Sequence, residues 1–126
     1  MELPVDADEL RRVLRRHGAV AAYVFGSRAS GGAGEGSDVD VAVLGDVDEW
    51  ALRGALPDVV DLVLLDHAPQ LLAGRVASHG RLLFDDDPPA RVAWETRQRR
   101  VYADGRFRRA QYRRDFAAAA RAAADG

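Results

Sequence analysis

Apolar positions along the chain change period several times, and each change marks an element. Asp6 with Glu9 three residues on reads as a helix N-cap with its reciprocal partner. The helix it opens carries Leu10, Val13 and Leu14 on one face and stops near Gly18. Ala19 to Phe25 (AVAAYVF) is a continuous apolar run, too short for a helix, and reads as a first strand running straight into Gly26-Ser27. Residues 28–37, RASGGAGEGS, hold four glycines and no large apolar side chain, so nothing there can pack and the backbone is free to take positive φ. Alternation resumes at Asp38 to Leu44, with Asp38, Asp40, Ala42 and Leu44 on one side and Val39, Val41 and Val43 on the other, which predicts a second strand.

Downstream, Val47 to Leu56 has a helical pattern ended by Pro57, and Val59 to Leu65 is a third strand whose apolar run is broken by Asp61 alone. Ala68 to His79 reads as a helix stopped by Gly80, and Arg81 to Phe84 as a short fourth strand. The acidic, proline-rich stretch 85–89 (DDDPP) reads as a hinge, followed by helices over 90–102 and 107–123 that Asp104-Gly105 separates. The expected architecture is α/β of the α+β kind: a small mixed sheet of about four strands with flanking helices and two C-terminal helices. Residues 1–89 would form the core, and 90–126 a helical extension packing on the core or on a partner, in a single domain overall.

Composition narrows the chemistry. The 126 residues include no cysteine, which excludes disulfides, thiolate metal sites and cysteine nucleophiles and leaves oxygen or histidine as metal ligands. No apolar run is long enough to span a bilayer and the N-terminus lacks a signal-peptide layout, so a cytoplasmic protein is expected. The net charge of −2 hides an asymmetry: residues 1–89 carry eight arginines against sixteen acids, and residues 90–126 carry ten against four. A basic tail could meet nucleic acid, but these arginines are spread around helices with aromatics between them and the body is acidic. That favours a solvated face or an acidic protein partner over direct nucleic-acid binding.

The informative constellation is a strand, a Gly-Ser turn, a glycine loop, a strand opening Asp-x-Asp and a further strand with one interior Asp. Strand alternation puts Asp38 and Asp40 on one side, about 7 Å apart along the chain. Two ionised carboxylates there repel and lose hydration, a cost that a divalent cation offsets, and magnesium takes such oxygen ligands together with substrate phosphates. Asp61 would add a third carboxylate if strands two and three are neighbours. Gly26 permits close backbone approach to a phosphate, Ser27 offers a hydroxyl and an amide, and the loop with Arg28 and Ser37 could surround a triphosphate.

These residues resemble the DNA-polymerase-β-like nucleotidyltransferases, and within them the minimal (MNT) type found as antitoxins of HEPN/MNT toxin–antitoxin pairs. The resemblance covers roughly residues 6–116. The family motif is matched by Gly26, Ser27, Asp38 and Asp40, and its later strand aspartate by Asp61, while Ser30 stands where the usual Gly-Ser-Arg-Ala-Arg-Gly opening has a second arginine. The resemblance implies transfer of AMP from ATP, with two magnesium ions held by Asp38, Asp40 and Asp61, to a hydroxyl. In the antitoxins that hydroxyl is a tyrosine of the cognate HEPN toxin, with which the chain would form a hetero-oligomer.

Two other readings of the same residues follow: an antitoxin that neutralises by contact alone, and transfer to a small molecule or an RNA end. Asp-x-Asp is weak by itself, since Asp46-Val47-Asp48 repeats it in an expected turn. Arg12 and His17 superficially match the HEPN ribonuclease spacing, but they lie at the end of the first helix and no tyrosine follows two residues after His17. His17, His67 and His79 all fall at element ends, where capping is the ordinary role.

Overall fold

A computed structural model describes residues 3–26 and 38–103. Its elements are α1 (Ala7–Arg16), β1 (Ala21–Phe25), β2 (Val39–Leu44), α2 (Glu49–Ala55), β3 (Val60–Leu64), a 3-10 turn (Leu65–His67), α3 (Gln70–His79), β4 (Arg81–Asp85) and a helix α4 over 88–103. The second expected C-terminal helix, 107–123, lies outside the described residues.

The four strands form one mixed sheet in the order β3-β2-β1-β4. β1 is antiparallel to both β2 and β4, whereas β2 and β3 are parallel. Parallel neighbours need a crossover, and α2 supplies it. Side-chain alternation then sorts the core into two layers. Val39, Val41 and Val43 pack with Leu10 and Leu14 of α1 and Leu52 of α2, and Ala42, Leu44 and Tyr23 pack with Ala73, Val76 and Trp94 of α3 and α4. The expected α+β fold with flanking helices is the one observed.

Local signals set the boundaries. Asp6 Oδ1 accepts from the amides of Asp8 (2.9 Å) and Glu9 (3.4 Å), giving α1 its N-cap. Glu9, expected to return that bond, pairs with Arg12 at 3.3 Å. His17 is the C-cap, its ring nitrogen 2.8 Å from the Val13 carbonyl, so Arg12 and His17 both serve the helix. Asp48 Oδ1 caps α2 through the Ala51 amide at 3.1 Å, which accounts for the second Asp-x-Asp.

The acidic stretch read as a hinge is anchored at each of its three aspartates. Asp85 pairs with Arg91 at 2.9 Å, Asp86 takes both Arg15 nitrogens at 2.8 and 3.0 Å, and Asp87 accepts from the Ala90 amide at 3.2 Å. Arg15 also lies over the Phe84 ring, 4.4 Å from its centroid. These contacts tie α1 and α4 to the end of β4.

A buried polar network fixes α4 on the sheet. Tyr23 Oη donates to Glu95 Oε1 at 2.7 Å, and Arg91 donates to Glu95 Oε2 at 3.0 Å and to Asp85 Oδ2 at 2.9 Å. Tyr23 is 1% and Glu95 8% exposed, so the Tyr23 hydroxyl is satisfied by Glu95, whose second oxygen is taken by Arg91. Burial and the Glu95 carboxylate push the Tyr23 hydroxyl far above its usual range. Its neutral form therefore supports folding below the unfolded tyrosine pKa of about 10, and that support fades as pH rises beyond it. Removing the donor with Tyr23→Phe should lower stability by about 1.5–3 kcal/mol, the cost of stripping a hydrogen bond from a buried charged group. Urea unfolding at pH 7 checks this; an unchanged midpoint would show that the bond contributes nothing.

Candidate nucleotide and metal site

The parallel register of β2 and β3 places Asp40 directly beside Asp61. Paired strands lie about 4.8 Å apart, so the two carboxylates rise from adjacent positions on one face of the sheet. Asp38 stands just before β2, one pleat back from Asp40 on the same side. Across β2, Asp40 pairs with Phe25, the last residue of β1. The three aspartates therefore gather where β1 ends and β2 and β3 begin, and there the turn at Gly26 leaves the sheet.

Electrostatics records the crowding. Asp40 is half-buried, and partial loss of water raises its carboxyl pKa, to which the nearby charges of Asp61 and Asp38 add. Asp38 and Asp61 are exposed. Gly26 meets two constraints at once. Its φ is +71°, a region that disfavours side chains, and a Cβ there would run into Asp40 Oδ2. The sequence motivates Gly26 by approach to a phosphate, and the structure adds that glycine keeps the space beside the Asp40 carboxylate clear.

Of the seven residues read from sequence as the site, Gly26, Asp38, Asp40 and Asp61 are brought to one end of the sheet, and Ser27, Arg28 and Ser37 lie outside the described residues. The donor chemistry fits a hard divalent cation, because every ligand on offer is a carboxylate oxygen and the group is short of positive charge. Among the described residues no three Asp, Glu or His side chains stand close enough to cage an ion by themselves. Magnesium does not demand such a cage, since it binds through one or two carboxylates and completes its shell with water and substrate phosphates.

The repulsion has a sign that can be measured. A carboxylate whose pKa is raised by folding stabilises the fold below the unfolded value of about 3.9, and that support is lost as pH rises through the raised pKa. At neutral pH the ionised Asp40 is thus a load on the metal-free protein. Asp40→Asn should raise metal-free stability by about 0.2–1 kcal/mol, the scale of charge pairs set opposite each other on paired strands. The gain should vanish below pH 3.5; thermal unfolding in EDTA across pH 3–8 checks both, and a destabilised variant at pH 7 would contradict the repulsion.

No curated protein matches the chain significantly in sequence. Solved structures do. One chain of a toxin–antitoxin crystal structure with AMP-PNP shares 25% identity at a TM-score of 0.72, covering 88% of this chain and 98% of its own length. A chain of the MntA–HepT toxin–antitoxin complex matches at TM-score 0.64 and 24% identity, over 86% of this chain and 94% of that one. A third similarity is to the structure of a tri-AMPylated Shewanella oneidensis HEPN toxin in complex with MNT antitoxin, at TM-score 0.64 and 23% identity, over 86% and 93% of the two chains. The family model "Polymerase beta, Nucleotidyltransferase" matches residues 8–89, a span that contains Gly26, Asp38, Asp40 and Asp61, and the chain belongs to this nucleotidyltransferase family.

Proposed function

We propose that this nucleotidyltransferase transfers AMP from ATP to a hydroxyl on a cognate HEPN-type toxin, a tyrosine, and so acts as that toxin's antitoxin. The observation that carries the proposal is the placement of Asp40 beside Asp61 on parallel strands, with Gly26 backing onto Asp40. The likeness to a toxin–antitoxin structure with AMP-PNP supports ATP as donor, and the likeness in fold to the AMPylated toxin complex supports a protein acceptor.

The roles follow from position. Gly26 opens the turn to the triphosphate, and Ser27, Arg28 and Ser37 bind its oxygens through hydroxyl, amide and guanidinium donors. Asp38 and Asp40 would hold magnesium through their carboxylate oxygens. Asp61, exposed on the outer strand, faces the attacking side and accepts the proton that the acceptor hydroxyl gives up. The acceptor oxygen bonds to the α-phosphorus, the bond from that phosphorus to the bridging oxygen of the β-phosphate breaks, and pyrophosphate leaves. Two magnesium ions bound by the three carboxylates would neutralise the triphosphate and favour the ionised acceptor oxygen. The acidic body makes a protein acceptor a better fit than a nucleic-acid backbone, which like charge would repel. No helix among the described residues is long and apolar enough to cross a membrane.

Incubation of the protein with α-labelled ATP, magnesium and its HEPN partner should label the partner, and Asp38→Ala should reduce labelling by about 1000-fold or more. An unlabelled partner, or labelling that survives the substitution, sinks the proposal. Neutralisation that persists in an Asp38→Ala/Asp40→Ala double variant would show an antitoxin acting by contact alone. Gly26→Ala should leave the protein folded, at a strain cost of about 1–3 kcal/mol, and slow transfer by about 100-fold through displacement of the Asp40 carboxylate. Wild-type turnover in this variant would mean that Asp40 tolerates the shift.

A further inference from the structure

The sheet order decides how a large acceptor can reach Asp61. Asp40 and Asp61 project from the face on which α3 and α4 pack, and the turn at Gly26 occupies the end where β1 finishes. Inward of β3 stands β2, so the open approach to Asp61 is over the outer edge of β3.

That edge adjoins a groove. A cavity of about 310 Å³ lies between the start of α1 and the end of α2, floored by Val5, Leu10, Val13, Ala55, Leu56 and Pro57. A second cavity of about 170 Å³ shares Leu56 and Pro57 and continues to Val60 and Leu62, which flank Asp61 in β3 and face the opposite, α1/α2 side of the sheet. Asp6 and Glu9 border the first cavity and Asp58 and Arg53 the second, so an apolar floor carries a rim of three acids and one arginine. The helix that supplies Ala55 also shows Trp50 to solvent at 89% exposure, the kind of aromatic that anchors protein interfaces.

We infer that this groove docks the polypeptide acceptor. An apolar side chain of the acceptor fills the cavity at Ala55 and Leu56, basic residues meet Asp6, Glu9 and Asp58, and the adjoining segment crosses the edge of β3 to present its hydroxyl to Asp61. Val60 and Leu62 face the α1/α2 layer and Asp61 the α3/α4 side, so the segment passes around the outer edge of β3 from one face of the sheet to the other. The inference rests on the proposed transfer to a protein, but its central measurement is affinity, which is independent of transfer.

Ala55→Trp fills the larger cavity from an exposed helix position and leaves the catalytic aspartates untouched. Titration of the HEPN partner against wild type, Ala55→Trp and Asp38→Ala, with labelling of the same complexes, separates the two claims. The expected result is partner affinity at least about 10-fold weaker for Ala55→Trp, with thermal stabilisation by ATP and magnesium as in wild type, and unchanged partner affinity for Asp38→Ala with loss of label. Glu9→Arg should weaken the complex in the same direction and lose more as salt is lowered. Equal affinity of wild type and Ala55→Trp overturns the groove even where labelling succeeds. Weakened affinity without any wild-type label overturns the transfer reaction and leaves the groove standing, and a partner neither bound nor labelled overturns both.

Discussion

The site depends on two like charges being held side by side on paired strands. Left to themselves, Asp40 and Asp61 would separate, since carboxylates in direct cross-strand register destabilise a sheet. What holds them is the register of the core around them. Val39, Val41 and Val43 fill one layer, and Ala42 and Leu44 fill the other, so a slip of one residue would turn every apolar side chain of β2 to the wrong layer and drive Asp40 toward the helices α1 and α2. The cost of the repulsion is small beside the burial that such a slip would forfeit. The hydrophobic pattern thus makes an unfavourable pair of neighbours unavoidable, and burial raises the Asp40 carboxyl pKa, with the charges of Asp61 and Asp38 adding to it.

The same logic explains how the edges are treated. An edge strand presents unpaired backbone groups that invite another chain, and here the outer strand carries Asp61. Arg53 of α2 donates to the Leu62 carbonyl at 2.9 Å, and Arg11 of α1 donates to the Leu83 carbonyl at 2.7 Å, so each edge of the sheet has a carbonyl taken by an arginine from a helix on the same face. Strand addition is thereby discouraged at both edges. A partner that comes to Asp61 must use side-chain contacts beside the strand, which is what a groove lined by Leu56, Pro57 and Val60 offers.

Much of this was legible in the sequence because it is local. The period-2 run of 38–44, the apolar stretch of 59–65 with its single Asp61 and the Asp6 cap each fall within ten residues, and each element appears within two residues of its expected bounds. Asp38-x-Asp40 and Asp46-x-Asp48 are identical as strings and opposite in role. The second pair is separated from the first only by context, with Asp48 spending its carboxylate on the Ala51 amide. What could not be read is whatever joins distant segments. The Tyr23–Glu95 bond spans 72 positions, and nothing near either residue announces it beyond the four-residue spacing of Arg91 and Glu95. The acidic stretch at 85–87 reads as a hinge for the same reason: three adjacent carboxylates repel in isolation, and their partners Arg15 and Arg91 come from two different helices.

The Tyr23 network and the carboxylate site are also mechanically joined. Tyr23, Phe25 and Gly26 lie on one strand and turn, with Phe25 paired to Asp40 and Tyr23 bonded to α4. β1 is the central strand between β2 and β4, so it can shift only if both ladders shift with it. Anchoring Tyr23 by a buried, charge-assisted hydrogen bond therefore fixes the strand three residues before the turn at Gly26. Asp40 is then confined from two sides, by β3 through the Asp61 register and by β1 through Gly26, whose missing Cβ leaves room for that carboxylate. An aspartate held this way has little freedom to relax away from its neighbours. That restraint is what keeps the Asp40 and Asp61 carboxylates side by side at the end of the sheet where the turn at Gly26 leaves it.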